Sequence, residues 1–488
     1  MAEAGTAERR SVGGENGDAG SDYHEKRQLQ QGAAGWVLLA GLGVAYVVSG
    51  DFAGWNFGLA EGGWGGMLIA VVLMATMYTC MIFSLAELAS TISTAGGGYG
   101  FGRRALGPWG GFLTGTAVLI EYAMAPAAIV VFIGGYIESL DIFGITSGWP
   151  VYLGFYAVFV GVHLLGVGEA LKVTFVITAI AVIALLVFVA TMIPEFSTSN
   201  LTEIKPDTAK AGASEFLPFG WQGIWAAFPF AIWFFLAVEG VPLAAEETRD
   251  PKRDMPRGMI TAISILVVFA ALMLVFAPGG GGADAIKDSD NPLPAAIDAA
   301  KGKGSAVGSF VNSVGLAGLV ASFFSIIFAY SRQLFALSRS GYLPRALSVT
   351  SSRKVPTIAL IVPAIIGFLL AAITEDGATM LNIAVFGATV SYVLMMLAHI
   401  VLRRREPDLD RGYRTPGGIA TSGVALALAT LAVVATFLVD VQAAIITLGV
   451  YGTAALYFLL YSRHHLVSSA PEEEFEAISS AESELRGA

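Results

Sequence analysis

A succession of apolar runs, each close to twenty residues long, constrains this chain more than any other feature. They fall near 35–58, 66–91, 109–137, 150–167, 171–194, 222–246, 257–277, 310–338, 357–374, 378–402, 418–439 and 441–462. Runs of that length are long enough to cross the hydrocarbon of a bilayer. Lipid offers no partner to an exposed peptide group, so spans of this kind are helices. Of the 488 residues 55% are hydrophobic and 14% charged, with a mean hydropathy of +0.69. A soluble domain does not have that balance. The predicted fold is an all-α polytopic membrane protein with twelve spans, and its home is the cell membrane.

The net charge of −10 sits largely in the tails. Residues 1–32 are polar, charged and Gly-rich and read as a disordered tail without a cleavable leader. Residues 463–488 form an acidic tail of the same kind. The single cysteine, Cys80, lies inside an apolar run, which rules out a disulfide framework. Nothing in the charge pattern points to nucleic acid. His163 and His399 stand alone in separate spans, and no metal site or cofactor is expected. The glycine-rich GGGYG at 96–100 follows no strand and reads as the turn between the second and third spans.

Lysine and arginine set the orientation. The breaks after even-numbered spans hold Arg103 and Arg104, then Arg249, Lys252, Arg253 and Arg257, then Arg339, Arg345, Arg353 and Lys354, then Arg403, Arg404, Arg405, Arg411 and Arg414. Most of those after odd-numbered spans are poor in them, and the two longer ones, 195–221 and 278–309, hold five lysines offset by acids, so both termini are expected in the cytoplasm.

Two spans are interrupted. In the first, VVSGDFAGWNFG at 47–58 places Asp51 between Gly50 and Gly54. In the sixth, AIWFFLAVEGVPLAAEE at 231–247 carries Glu239, Gly240 and Pro242. A charge at the bilayer centre costs about 2.5–3.5 kcal/mol on insertion scales. Unwound backbone is tolerated there only where it lines a protein-walled cavity. Two interrupted helices five spans apart are the pattern of inverted-repeat secondary transporters, which bind substrate at the midplane between the repeats. A third acid, Glu121, lies in the middle of the third span, too far from either interface to reach water, with Pro126 five residues on. An acid so placed is a functional-site candidate by default. No nucleophile–base pair of an enzyme is evident.

Longer blocks carry a resemblance. FSLAELASTISTAGGGYGFGRRALGPWGGFLTG (83–115), GVGEALKVTFVITAIAVIALLVF (166–188), AAEETRDPKRDMPRGMI (244–260) and FAYSRQLFALSRSGYLPRALS (328–348) resemble the amino acid–polyamine–organocation superfamily of transporters. SGDFAGWNFGLAEGGWGGMLIA (49–70) and the block 94–140 are most similar to its bacterial ethanolamine permeases. The resemblance implies a leucine-transporter-type fold of five helices and an inverted five, plus two appended helices. The repeats would cover 33–194 and 222–402, and the appended pair 418–462.

It also implies site residues. In amino acid relatives the first helix unwinds at a Gly-Ser-Gly whose N–H groups hold the substrate carboxylate; the matching positions here are Val48, Ser49 and Gly50, so the first glycine is missing. Asp51 follows where relatives carry an apolar residue, and an acid there repels a carboxylate and favours an ammonium. The unwound part of the sixth helix matches Leu236, Ala237, Val238, Glu239 and Gly240, with Trp233 at an aromatic gate. Glu121 matches a pocket-lining glutamate followed by a tyrosine, here Tyr122. Some proton-coupled relatives carry a lysine midway along the fifth helix, where this chain has Ala181. Sodium-coupled relatives use hydroxyls of the eighth helix, for which Ser322 and Ser325 are candidates.

The expected function is a secondary transporter that imports ethanolamine or a similar small amine by alternating access, with H+ (or Na+) as the coupling ion. Asp51, Glu121 and Glu239 exceed what one ammonium can neutralise, so at least one is expected to hold a proton at rest; Glu121 and Glu239 are the coupling candidates. The alternative is an amino acid permease or exchanger of the same superfamily.

Overall fold

A computed structural model describes residues 29, 32, 34–92, 96–140, 145–302, 306–439 and 441–466. The predicted tails therefore lie almost wholly outside the described residues. The described chain is helical throughout, and its one β-type pairing is an isolated bridge between Ala34 and Thr248. Among the described residues ten helices are long and apolar enough to cross a membrane, and each coincides with a predicted span. The first and fourth predicted spans are shorter apolar helices of 12 and 16 residues.

The elements that build the site are α1 (Trp36–Val47), α2 (Ser49–Phe52), α3 (Phe57–Thr91), α4 (Gly98–Ser139), α5 (Trp149–Leu164) and α6 (Val167–Met192). After them come α7 (Gly220–Ala226), α8 (Phe228–Trp233), a 3₁₀ helix (Val238–Glu247), α9 (Pro251–Gly281), α10 (Ala283–Ile286) and α11 (Pro292–Lys301). The chain continues through α12 (Ala306–Arg339), α13 (Thr357–Thr374), α14 (Gly377–Arg405), α15 (Ile419–Val439) and α16 (Val441–Leu460).

Two long helices are bent. α3 turns at Gly63 (φ 65°), which separates the tail of the first predicted span from the second. α4 turns at Gly107, just before Pro108. The GGGYG stretch is only partly a turn: Gly96 and Gly97 make it, and Gly98–Gly100 already open α4.

Burial divides the helices. α4 and the 220–247 stretch are mostly enclosed, whereas α13, α15 and α16 leave most of their apolar residues on the outside. α4 packs along both α14 and α12, and α1 lies against α9. The interrupted elements therefore sit at the centre of the bundle, where backbone that has left the helical ladder is walled by protein rather than by lipid.

Candidate functional site

The first interruption differs from the expected unwinding at 48–50. Val48 keeps helical dihedrals (φ −57°, ψ −23°), and its N–H still donates to the carbonyl of Val44. The ladder loses its next rung instead. The N–H of Ser49 donates to Ser322 Oγ at 2.9 Å, and that hydroxyl donates to the carbonyl of Ala45 at 2.7 Å. A side chain from α12 is thus spliced between two backbone groups that an unbroken helix would join directly, one of the recognised causes of a helix break. The chain leaves the helix only at Ala53, which is extended, and Gly54 (φ 93°). Asn56 fixes this exit. Its Oδ1 accepts from the N–H of Gly54, and its Nδ2 donates to the carbonyls of Ile286 and Ser289, both at 2.8 Å.

The sixth span breaks more sharply. After α8 the chain turns through Phe234–Ala237, and Ala237 takes a left-handed conformation (φ 76°) that is uncommon for a residue with a Cβ. The chain resumes as the ten-residue 3₁₀ helix with Pro242 inside it.

The two breaks are packed on each other. Trp233 Nε1 donates to the carbonyl of Ala53 at 3.0 Å. A Cβ at Gly50 would stand 2.5 Å from the carbonyl oxygen of Trp233, so only glycine lets the backbones approach this closely. Beside this crossing is a closed cavity of about 10 Å³, barely room for one water. Tyr46, Ser49, Trp233 and Leu236 line it, with Ala125 and Ile129 of α4. A space of that size is too tight for an organic solute.

Three acids are buried in this region. Asp51 is 1% exposed, and neither carboxyl oxygen has a hydrogen-bond partner among the described residues. Glu121 and Glu239, from α4 and the 3₁₀ helix, lie beside one another. Glu239 accepts from Tyr122 Oη at 3.0 Å and from Tyr392 Oη at 3.2 Å, and Tyr392 in turn accepts from Tyr78 Oη at 3.0 Å. Neither oxygen of Glu121 makes a hydrogen bond of ordinary geometry. Among the described residues no lysine or arginine lies within ion-pair distance of any of the three.

At the arginine-rich end of the bundle the buried acids have different company. Glu247 pairs with Arg332 of α12 at 3.1 Å, both fully enclosed, and the guanidinium also lies 3.8 Å from the ring centroid of Phe328. Glu246 pairs with Arg339 at 2.5 Å. Glu87 is held by Arg403, by Arg411 at 2.8 Å and by the N–H of Thr415. The strand-like bridge closes the same end, with Ala34 donating to the carbonyl of Glu247 and accepting from Arg249. At the opposite end the mouth is acidic. Burial, together with the like charges of Asp376 and Glu138, pushes the carboxyl of Asp290 up from its usual range.

Of the sequence-predicted site residues, Ser49, Trp233 and Leu236 meet at the cavity, and Gly50 makes the crossing possible. Glu121, Tyr122, Glu239 and Gly240 gather in the adjoining acid–tyrosine cluster, and Ala237 carries the turn between the two groups. Ser322 supplies the inserted hydroxyl, while Ser325 Oγ donates to the carbonyl of Ser322. His163 is bound to the carbonyl of Phe324, and His399 to Ser422. Sequence reasoning passed over Tyr46, Tyr78, Tyr392 and the Glu247–Arg332 pair. An arginine inside the eighth apolar run was the available signal for that pair.

Helices crossing a membrane, two of them interrupted and meeting over a closed cavity, define a multi-pass membrane transport protein. The chain belongs to the amino acid permease family, whose model matches residues 36–460. It is 29% identical over 406 residues to an uncharacterized transporter of Rhizobium meliloti (strain 1021), covering 81% of this chain and 85% of that protein. It is 26% identical over 422 residues to a branched-chain amino acid permease of Bacillus subtilis (strain 168), covering 82% and 86%. A methylthioribose transporter of the same strain is 26% identical over 391 residues, covering 76% and 79%.

Proposed function

We propose that the protein is a secondary transporter of the cell membrane that imports ethanolamine or a similar small amine together with protons. The observation that carries this reading is Asp51, a carboxyl enclosed at the first break with no partner among the described residues. An ammonium is the partner it lacks, and the cost of holding a charge at that depth is then recovered only when substrate binds. The backbone agrees. The N–H groups of Val48 and Ser49, two of the three that hold a substrate carboxylate in amino acid relatives, are already engaged. The acidic mouth at the end opposite the arginines favours the approach of a cation.

Glu121 and Glu239 supply the coupling. Two neighbouring carboxyls with no cation beside them do not both ionise, so the pair holds a proton at rest. The phenols of Tyr122 and Tyr392 hold Glu239 in place, which leaves Glu121 as the group that loads and unloads. Sodium coupling through Ser322 and Ser325 is disfavoured in this conformation, because the hydroxyl of Ser322 is committed to α1. The arginine-rich end faces the cytoplasm, twelve crossings place both termini there, and the repeats at 33–194 and 222–402 rock about the site in alternating access.

The test is uptake of radiolabelled ethanolamine into proteoliposomes, with and without an inward proton gradient, for the wild type and Glu121→Gln. The expected result is gradient-stimulated uptake that the variant loses while it still exchanges substrate. Uptake indifferent to the gradient would overturn the coupling scheme alone. A second reading, transport of an apolar amino acid, has two supports: the aliphatic walls of the cavity and the branched-chain permease among the relatives. Uptake of leucine or valine with none of ethanolamine would establish it.

A further inference from the structure

Tyr46 lies one turn before Ser49 on α1 and is 1% exposed. It lines the closed cavity, and its phenolic oxygen has no hydrogen-bond partner among the described residues. Buried phenols normally find a partner. The phenols around it do: Tyr122 and Tyr392 donate to Glu239, and Tyr78 donates to Tyr392. The indole N–H of Trp233, also at the cavity wall, is taken by Ala53. Tyr46 is also held firmly in place. Its ring edge lies 3.3 Å from where a Cβ of Gly240 would stand, and the hydroxyl of Tyr122 is 2.7 Å from the same point. A ring wedged between α1 and the sixth-span break thus carries an unpaired O–H at a cavity whose wall is otherwise apolar save for Ser49 and Trp233.

We infer that Tyr46 is a specificity-determining residue, whose phenol pairs with the hydroxyl of a short amino alcohol bound at the cavity. The inference rests on the amine reading given above. Asp51 and the acids select for the ammonium but say nothing about the rest of the solute. A phenol can donate to or accept from a substrate hydroxyl. A site built to hydrogen-bond a hydroxyl rejects the analogue that lacks it, because the buried group is then left unpaired; an apolar wall does not discriminate in this way. The unsatisfied oxygen of the substrate-free protein is the mark of such a site.

The experiment compares ethanolamine with ethylamine, which has the same chain and ammonium but no hydroxyl. Uptake into proteoliposomes is measured for the wild type and Tyr46→Phe, alongside the melting temperature of each. In the wild type ethanolamine is expected to have a KM about two- to tenfold below that of ethylamine, the factor one neutral hydrogen bond supplies. In Tyr46→Phe the ethanolamine KM rises to meet that of ethylamine, so the preference between the two amines disappears, while the melting temperature stays unchanged. A variant that keeps the wild-type preference, or that loses both substrates equally, overturns the inference. So does a wild type that treats the two amines alike, whether or not the variant folds. If the wild type carries amino acids and neither amine, the amine reading itself fails and takes this inference with it.

Discussion

Glu247 and Asp51 are both enclosed, yet one has an arginine and the other has no partner among the described residues. The same contrast runs through the whole molecule. At the arginine-rich end Glu247, Glu246 and Glu87 are paired to Arg332, Arg339 and Arg403, each bond linking elements far apart in the chain. At the centre Asp51, Glu121 and Glu239 have only tyrosines, or no partner, among the described residues. A buried acid with a cation of its own is satisfied in the resting protein and holds elements together. A buried acid without one awaits a ligand or carries a proton. The first group closes the bundle and the second is available for work.

Three substitutions would break or sharpen this division. The largest effect is expected at the paired end. Arg332→Met leaves Glu247 enclosed with no counter-charge, which costs about 3–5 kcal/mol, whereas replacing both partners by apolar residues is often neutral. Thermal unfolding in detergent should show a large fall for Arg332→Met and a recovery in Arg332→Met/Glu247→Leu. Equal losses in both would mean that the pair is not a unit.

Next comes Asp51→Asn, which removes an unpaired carboxyl rather than half of a pair. Its melting temperature should equal or exceed that of the wild type, while ethanolamine uptake falls by about tenfold or more, as expected for loss of a charge-assisted contact. A fall in melting temperature like that of Arg332→Met would place Asp51 with the structural acids. The smallest effect is at Lys252–Asp410, a pair of 2.7 Å whose side chains are 61% and 84% exposed. Exposed pairs contribute little. Asp410→Asn should leave both unfolding and uptake within error, and a measurable loss would show that ion pairing at this end matters beyond burial.

Much of this architecture was legible along the chain. The ten long helices fall on predicted spans because lipid demands one simple thing, an apolar run closed on its own hydrogen bonds. Both interruptions were marked by glycine and an acid inside such a run. The details of the first were not. The ladder loses its rung at Ser49 because Ser322, 273 residues away, donates and accepts there, and the exit is at Ala53–Gly54 because Asn56 ties it to the 286–289 segment. In the sixth span Glu246 and Glu247 follow Glu239 closely in sequence. Glu247 is fully enclosed, since Arg332 follows it into the interior.

The sequence by itself determined that this chain crosses a membrane many times, that two of its helices break, and that Glu121 lies too deep to reach water. Those are properties of single segments, set by hydrophobic length and by the absence of water at mid-membrane. Only the tertiary structure decided which acids have arginines, that Glu121 and Glu239 stand side by side, and that Tyr46 faces a cavity with its hydroxyl unpaired. Each of these depends on which helices are neighbours, and packing between elements hundreds of residues apart leaves no mark in the local pattern of either one.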